Sequence, residues 1–171
     1  MQDGNEMADF SMTIILGEHG SMEASVQADG QHLRMLISYL SDALGDLTEA
    51  VMVLLRSLEL EKRICSWQDE PGEYRWIIHR AGKNVRVQIL RFDQNFSRLP
   101  DERGECVFDT NCTLMRLATQ TKGQLQTNSG KKVTSPAGAI RFRWQPFANL
   151  RHRFNKISIP QGTCNVRSVG T

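Results

Sequence analysis

Two stretches, Tyr74-Arg-Trp-Ile-Ile-His79 and Val85-Arg-Val-Gln-Ile-Leu90, decide the fold of this chain. In each stretch, apolar residues occupy every second position, which is the period of a β-strand with one buried face. The residues between them, Ala81-Gly-Lys-Asn84, are typical of a turn. The sequence therefore predicts a hairpin with one aromatic and aliphatic face against a helix and one basic, partly solvated face.

A second hairpin precedes the first along the chain. Apolar residues alternate over 10–16 and again over 22–28, and Gly17-Glu-His-Gly20 forms the turn between the two runs. Asp29-Gly30 closes the second run, and we expect Asp29 to cap the helix that follows.

That helix is predicted over 33–58. Gly45-Asp46 interrupts its apolar stripe, and Asp46 with Glu49 resembles a capping box that would start a second helix. We favour one long helix, because the stripe keeps its phase across Gly45. The stripe consists of Leu33, Leu36, Ile37, Leu40, Ala43, Leu44, Leu47, Val51, Leu54 and Leu58.

Shorter elements complete the predicted fold. Ile64–Trp67 reads as a short strand, 93–106 as a long charged loop, and Val107-Phe108 as another short strand. Asp109 or Thr110 caps a second helix, whose inward face is Leu114, Leu117, Ala118, Thr121 and Leu125. The predicted fold class is α+β: an antiparallel sheet of about five strands, with one long and one shorter helix packed on one face, plus a basic C-terminal extension.

Charge divides the chain near residue 109. Residues 1–109 hold all 19 Asp and Glu, whereas 110–171 hold none and carry ten of the 21 Lys and Arg. Such an asymmetry indicates an anionic partner or an attached segment of different origin. Because the periodicity ends near Leu125, we predict a flexible N-terminus at 1–9, an α+β domain at 10–127 and a basic, weakly patterned tail at 128–171.

Composition and motifs argue against several protein classes. The N-terminus lacks the basic start and apolar run of a secretory signal, and the longest apolar run, Val51–Leu55, is too short to cross a bilayer. We therefore expect a cytoplasmic protein with no membrane partner. The four cysteines lack metal-binding spacing, and no phosphate-loop, dinucleotide or His-Glu-x-x-His motif occurs. We predict no catalytic residue, no cofactor and no metal ion, and the oligomeric state is left open.

The tail combines basic and aromatic residues. If 139–147 is a strand, Arg141 and Arg143 lie on one face and Ile140, Phe142 and Trp144 on the other. A half-buried edge strand, a solvated basic tail and an out-of-frame or fused terminus would produce the same pattern. The alternative is a nucleic-acid-binding module, with cations for phosphates and aromatic rings for bases, formed by Lys131, Lys132, Arg141, Arg143, Trp144, Arg151 and Arg153.

A resemblance rests on Trp67-Gln-Asp-Glu-Pro-Gly-Glu-Tyr-Arg-Trp76, on 85–92, and on Phe96-Ser-Arg-Leu-Pro-Asp-Glu102 with Phe108-Asp109. Over residues 45–127 the chain resembles a group of small bacterial proteins, some of which are similar to immunity proteins of polymorphic toxin systems. The resemblance implies no active site. It implies a basic toxin or nuclease domain as the partner of the acidic body, with the contact residues Glu70, Glu73, Asp101, Glu102 and Glu105.

The favoured hypothesis is a small, immunity-like protein that binds another macromolecule without catalysis. Nucleic-acid binding through the tail is the alternative. A hydrolase or transferase, with a site assembled in space from scattered Cys and His residues, is a third class that no motif supports.

Overall fold

The computed structural model describes residues 7–17, 21–57 and 61–128. It confirms the α+β class, with antiparallel sheets and two helices. The residues predicted as a tail at 128–171 lie outside the described residues beyond Asn128, as do residues 1–6 of the predicted N-terminus. In chain order the elements are β1 Ser11–Leu16, β2 Met22–Ala28, β3 Gln31–Ile37, α1 Ala43–Arg56, β4 Lys62–Gln68, β5 Glu73–Ala81, β6 Asn84–Phe92, β7 Glu105–Thr113 and α2 Leu114–Asn128.

The strands form two sheets rather than one sheet of about five strands. One has the order β1-β2-β3 and the other the order β4-β5-β6-β7. The predicted hairpin is confirmed as β5 and β6, with Trp76 opposite Ile89 and Ile78 opposite Val87. The described residues contain seven strands: β3 was not predicted, and the short strand predicted at Val107-Phe108 is the nine-residue β7.

The prediction of one long helix over 33–58 is wrong in its first part. Strand β3 pairs along β2, with Met35 and Ile37 buried and Leu36 63% exposed between them. Leucines at 33, 36 and 40 fit a helical stripe, but burial follows the two-residue period of a strand. The predicted cap Asp29 lies instead in the β2–β3 turn at φ 50°.

Helix α1 begins at Ala43, and Asp42 caps it. The Asp42 Oδ1 atom accepts a hydrogen bond from the Gly45 N–H at 3.2 Å. Gly45 therefore belongs to the first turn and does not break a longer helix. The result is two helices of similar length, 14 residues in α1 and 15 in α2, rather than one long and one shorter.

Strand β7 extends through Asp109 and Thr110, which were predicted to cap the second helix. Across the sheet, Arg86 and Gln88 hydrogen-bond the Asp109 carboxylate, so this polar residue is accommodated within a strand. Helix α2 starts later, where Thr113 Oγ1 accepts from the Arg116 N–H at 3.0 Å. Its predicted inward face is confirmed, since all five of those residues are buried.

One hydrophobic core joins both sheets and both helices. Trp67 and Trp76 are fully buried with ring centroids 4.6 Å apart, and Phe10 meets Phe108 edge to face at 6.3 Å. Of these, Trp67, Trp76 and Phe108 mark the inner face of the four-stranded sheet, and Phe10 packs against that face. Residues that alternate with them, such as Arg75, lie on its outer face, where the candidate site is found.

Helix α2 supplies the hydrogen bonds that the free edge of β1 would otherwise lack. Gln120 accepts from the Met12 N–H at 3.1 Å, and Gln124 accepts from Ile14 N–H and donates to Met12 C=O, both at 2.8 Å. Asn128 donates to Ile14 C=O at 3.1 Å. Four helical residues rise about 6 Å and two strand residues about 6.6–6.8 Å, so amides at this spacing follow the strand.

We predict that Gln124→Ala lowers the free energy of unfolding by about 1–3 kcal/mol, because it leaves two backbone groups of β1 without partners. Urea denaturation measures the change. Thr119→Ala, at an exposed position of the same helix, is the control and should change stability by less than about 0.5 kcal/mol. Equal effects of the two substitutions would contradict this role for Gln124.

Candidate functional site

The candidate site lies on the outer face of the four-stranded sheet, under and around the segment 93–104. This segment connects β6 to β7 and contains a short 3-10 helix, Asp101–Arg103. Ile77, Leu90 and Phe92 form a small buried cluster on this face. The segment therefore packs on the sheet. The long charged loop predicted over 93–106 is shorter by two residues, because Glu105 and Cys106 belong to β7.

Arg75 of β5 holds the segment in place. Its side chain is 9% exposed, and its Nη1 and Nη2 atoms donate to Leu99 C=O at 2.8 Å and Ser97 C=O at 2.7 Å. The guanidinium also lies over the Phe92 ring, 4.1 Å from its centroid. A planar group with five donors is suited to bind two carbonyl groups and a carboxylate at once.

Glu73 provides the charge that balances Arg75 and also binds the segment itself. It is 1% exposed, and its Oε1 atom accepts from Arg75 Nε and from Ser66 Oγ, both at 3.0 Å. Its Oε2 atom accepts from the Ser97 N–H at 2.8 Å. This pair therefore has hydrogen bonds on both sides, which is the arrangement that makes a buried ion pair tolerable.

Two further side chains complete the attachment. Gln68 Oε1 accepts from the Phe96 N–H at 2.8 Å. Asp101 receives Arg75 Nη1 at 2.9 Å and Lys62 Nζ at 3.1 Å. Partial burial disfavours the charged form of Asp101, but the hydrogen bonds from Arg75 and Lys62 outweigh it, so its pKa lies below the usual value.

This attachment presents two apolar side chains to solvent. Phe96 is 62% exposed and has φ 49°, and Leu99 is 48% exposed. Asp93 and Glu102 are exposed in the same segment, Glu70 in the turn between β4 and β5, and Glu105 at the start of β7. We call these six residues the loop surface. Next to it, Glu70, Pro71 and Asp93–Asn95 line an open depression of about 570 Å³.

The five predicted acidic contact residues differ in exposure and in pairing. Glu70, Glu102 and Glu105 are exposed. Asp101 is partly exposed, but both of its carboxylate oxygens are engaged by Arg75 and Lys62. Glu73 is buried, because it neutralises Arg75 inside the fold, and its carboxylate is not accessible to a partner here.

The residues predicted for nucleic-acid binding are not part of the described chain. This applies to Lys131, Lys132, Arg141, Arg143, Trp144, Arg151 and Arg153, which all follow Asn128. Their role stays a prediction.

Sequence reasoning did not identify Arg75, Phe96 or Leu99. Arg75 fell in the predicted strand, but Glu73 was assigned to the preceding turn; the observed strand starts one residue earlier, at Glu73, and so puts both side chains on one face. Nothing in the local pattern indicates that the 93–104 segment would lie on top of that face.

Cys65 and Cys112 are buried thiols away from this face. Burial raises the pKa of Cys65 above its usual value and that of Cys112 to about 11, so both thiols are protonated at neutral pH. Within 7–17, 21–57 and 61–128, no three His, Cys, Asp or Glu residues are grouped to hold a metal ion. In the same ranges, neither helix has the length and apolar character needed to span a membrane.

Comparisons with known proteins add little to this geometry. No protein-family model matches the chain, and no curated protein matches it. A search of solved structures found a chain of the CdiA-CT/CdiI toxin and immunity complex from Enterobacter cloacae, with 9% identity and a TM-score of 0.43, covering 70% of this chain and 99% of that one. A likeness this weak transfers neither fold nor function.

We predict that Arg75→Met costs about 3–5 kcal/mol of folding free energy, because it leaves the buried Glu73 carboxylate unpaired. In urea denaturation, Glu73→Gln combined with Arg75→Met should cost less than the sum of the single changes, with a coupling of about 0.5–3 kcal/mol. Arg34→Met, in the exposed pair with Glu23, is the control and should cost at most about 1 kcal/mol. Additive effects of the Glu73 and Arg75 substitutions would contradict the coupling between these two side chains.

The Asp101 contacts also predict how the stability of the fold depends on pH. A carboxyl group whose pKa is lowered by folding stabilises the fold above its unfolded pKa, about 3.9, and this stabilisation is lost as pH falls. Unfolding free energies measured between about pH 5 and pH 2 should therefore fall less steeply for Asp101→Asn than for the unchanged chain. Asp93→Asn is the control, because its carboxylate makes none of the Asp101 contacts. Parallel curves for Asp101→Asn and the unchanged chain would refute the assignment.

Proposed function

We propose that this chain is a macromolecule-binding protein that docks another protein on the loop surface. The observation that carries the proposal is Phe96, a large aromatic residue exposed at a positive φ, whose N–H donates to Gln68 Oε1 of β4. Bulky residues rarely adopt this conformation, and backbone strain of this kind concentrates at functional sites. Solvent-exposed aromatic residues are frequent energetic centres of protein interfaces.

The rigidity of the segment supports this proposal. Arg75, Glu73 and Gln68 bind the backbone of residues 96, 97 and 99 before any partner arrives. A surface that is already ordered loses less conformational entropy on binding than a mobile loop would. Phe96 and Leu99 can then contribute their apolar area directly to the complex.

The charges around Phe96 indicate the kind of partner. Glu70, Asp93, Glu102 and Glu105 add four exposed carboxylates in or next to the segment that carries Phe96, and Arg98 and Arg103 add two exposed positive charges. An acidic rim speeds the approach of a basic protein, and the interspersed arginines favour one orientation. The proposed partner is therefore a protein with a basic, partly apolar face.

In its finer form, the proposal follows the resemblance of residues 45–127 to immunity-like proteins. The partner is then a basic toxin or nuclease domain, met in the cytoplasm of a bacterium. Of the acidic contacts predicted for this role, Glu70, Glu102 and Glu105 remain candidate contact residues. Asp101 and Glu73 position the segment that carries them.

Site-specific photo-crosslinking in the source cells tests the proposal. A benzophenone amino acid placed at residue 96 or 99 should give a discrete protein adduct, identified by mass spectrometry, because both positions are exposed at the proposed interface. The same label at Ile15, which is 53% exposed on the three-stranded sheet, is the matched control and should give none.

Three outcomes contradict the proposal. Adducts at residue 15 but not at 96 or 99 would place the interface elsewhere. Nucleic-acid adducts at 96 would favour the alternative function. A captured protein that binds Phe96→Ala and Leu99→Ala as tightly as the unchanged chain would show that these side chains do not form the contact, since a central aromatic contact should cost about 2 kcal/mol or more.

A further inference from the structure

Two strand edges of the fold are closed by hydrogen bonds from neighbouring elements. The edge of β1 is closed by α2, as described above. On β7, the Gln31 side chain donates to Asp109 C=O at 2.8 Å and accepts from Asp109 N–H at 3.2 Å, and Ala8 N–H donates to Asn111 C=O at 3.1 Å. Closed edges prevent another strand from pairing there.

The edge of β4 is different. The Gln68 backbone faces away from β5, because its N–H donates to Ser41 Oγ at 3.1 Å and its C=O accepts from Ser38 N–H at 2.7 Å. Backbone groups alternate in direction along an antiparallel strand, so those of Lys62, Ile64 and Ser66 face the same way. Within the part of the chain that the structure describes, these three residues have no backbone partner on that side.

A groove of about 310 Å³ runs beside this edge, between β4 and α1. From α1 it is lined by Asp46, Glu49, Ala50 and Val53, and from β4 by Arg63, Ile64 and Cys65. Unlike α2, which presents amides to β1, α1 presents here two carboxylates and two apolar residues. No side chain of α1 in this groove is hydrogen-bonded to the β4 backbone.

The α1 wall carries negative charge that the described residues do not neutralise. Asp46, Glu49 and the nearby cap Asp42 form no ion pair with any described residue. Burial, together with the negative charge of Asp42, raises the pKa of Asp46 above its usual value. Arg63 lines the β4 side of the groove, and on the α1 side the two carboxylates attract a cation.

We propose that the β4 edge binds an extended, basic segment of a partner protein, which adds to the four-stranded sheet as a further strand. Its backbone pairs with Lys62, Ile64 and Ser66, and lysine or arginine residues at every second position face Asp46 and Glu49. Alternate strand residues are about 6.6–6.8 Å apart and Asp46 and Glu49 rise about 4.5 Å apart on α1, so two successive long side chains reach both carboxylates.

The edge of β3 shows why charge assigns the site to β4. By the same alternation, the backbone groups of Arg34 and Leu36 face away from β2, and no partner for them occurs among the described residues. That edge carries His32 and Arg34, whose charge is paired with Glu23, and in the described residues no acidic wall lies beside it. A basic strand is therefore attracted to β4 and not to β3.

A labelled synthetic peptide tests the proposal on the full chain. The probe is a decapeptide of alternating arginine and threonine, and fluorescence anisotropy should show saturable binding that Asp46→Asn with Glu49→Gln weakens at least tenfold. Ile64→Pro should also weaken binding at least tenfold, because it removes an edge N–H that does not pair with β5. Leu36→Pro, the matched change on β3, and Phe96→Ala, on the loop surface, should leave binding unchanged.

The same peptide with N-methyl groups on alternate residues removes its strand hydrogen bonds without altering the protein, and it should not bind. Equal binding of the N-methylated peptide, or of a peptide with glutamate in place of arginine, would overturn the proposal. Binding that appears only after residues 129–171 are deleted would also overturn it, because the occupant would then be this chain itself. Loss of binding in Phe96→Ala alone would assign the peptide to the loop surface.

Discussion

The guanidinium of Arg75 is the group on which the outer face of the four-stranded sheet depends. It binds two carbonyls of the 93–104 segment, the Asp101 carboxylate and the buried Glu73 carboxylate. A charged group buried this far from water needs this number of partners, because each donor or acceptor left without a hydrogen bond destabilises the fold. The segment is thus bound where it lies, and Phe96 and Leu99 are exposed as a consequence.

At the sheet edges, side-chain amides hydrogen-bond the backbone of a neighbouring element, as Arg75 does on the sheet face. Gln31 satisfies β7, and Gln120, Gln124 and Asn128 satisfy β1, so polar side chains replace the strands that would otherwise pair there. The edge of β4 lacks such a group and lies beside an acidic wall. It also adjoins the loop surface, since Lys62 of β4 binds Asp101. A partner that contacts one of these surfaces is within reach of the other.

Local pattern predicted the elements in which the residues facing the main core recur with one period. The β5–β6 hairpin and the inward face of α2 are of this kind. It failed at β3, where Leu33, Leu36, Ile37 and Leu40 fit a helix, because pairing with β2 overrides that spacing. It also failed at the site, since whether Glu73 is an exposed contact or a buried counter-charge depends on a segment more than twenty residues further along the chain.

The central claim is that the 93–104 segment is ordered by the sheet in the free protein. Native-state hydrogen exchange at the Phe96 and Ser97 amides tests it most directly, because these N–H groups donate to Gln68 and Glu73. We expect both amides to be protected, and to lose that protection in Arg75→Met under conditions where the strands keep theirs. Exchange of both amides at unprotected rates in the unchanged chain would contradict the account.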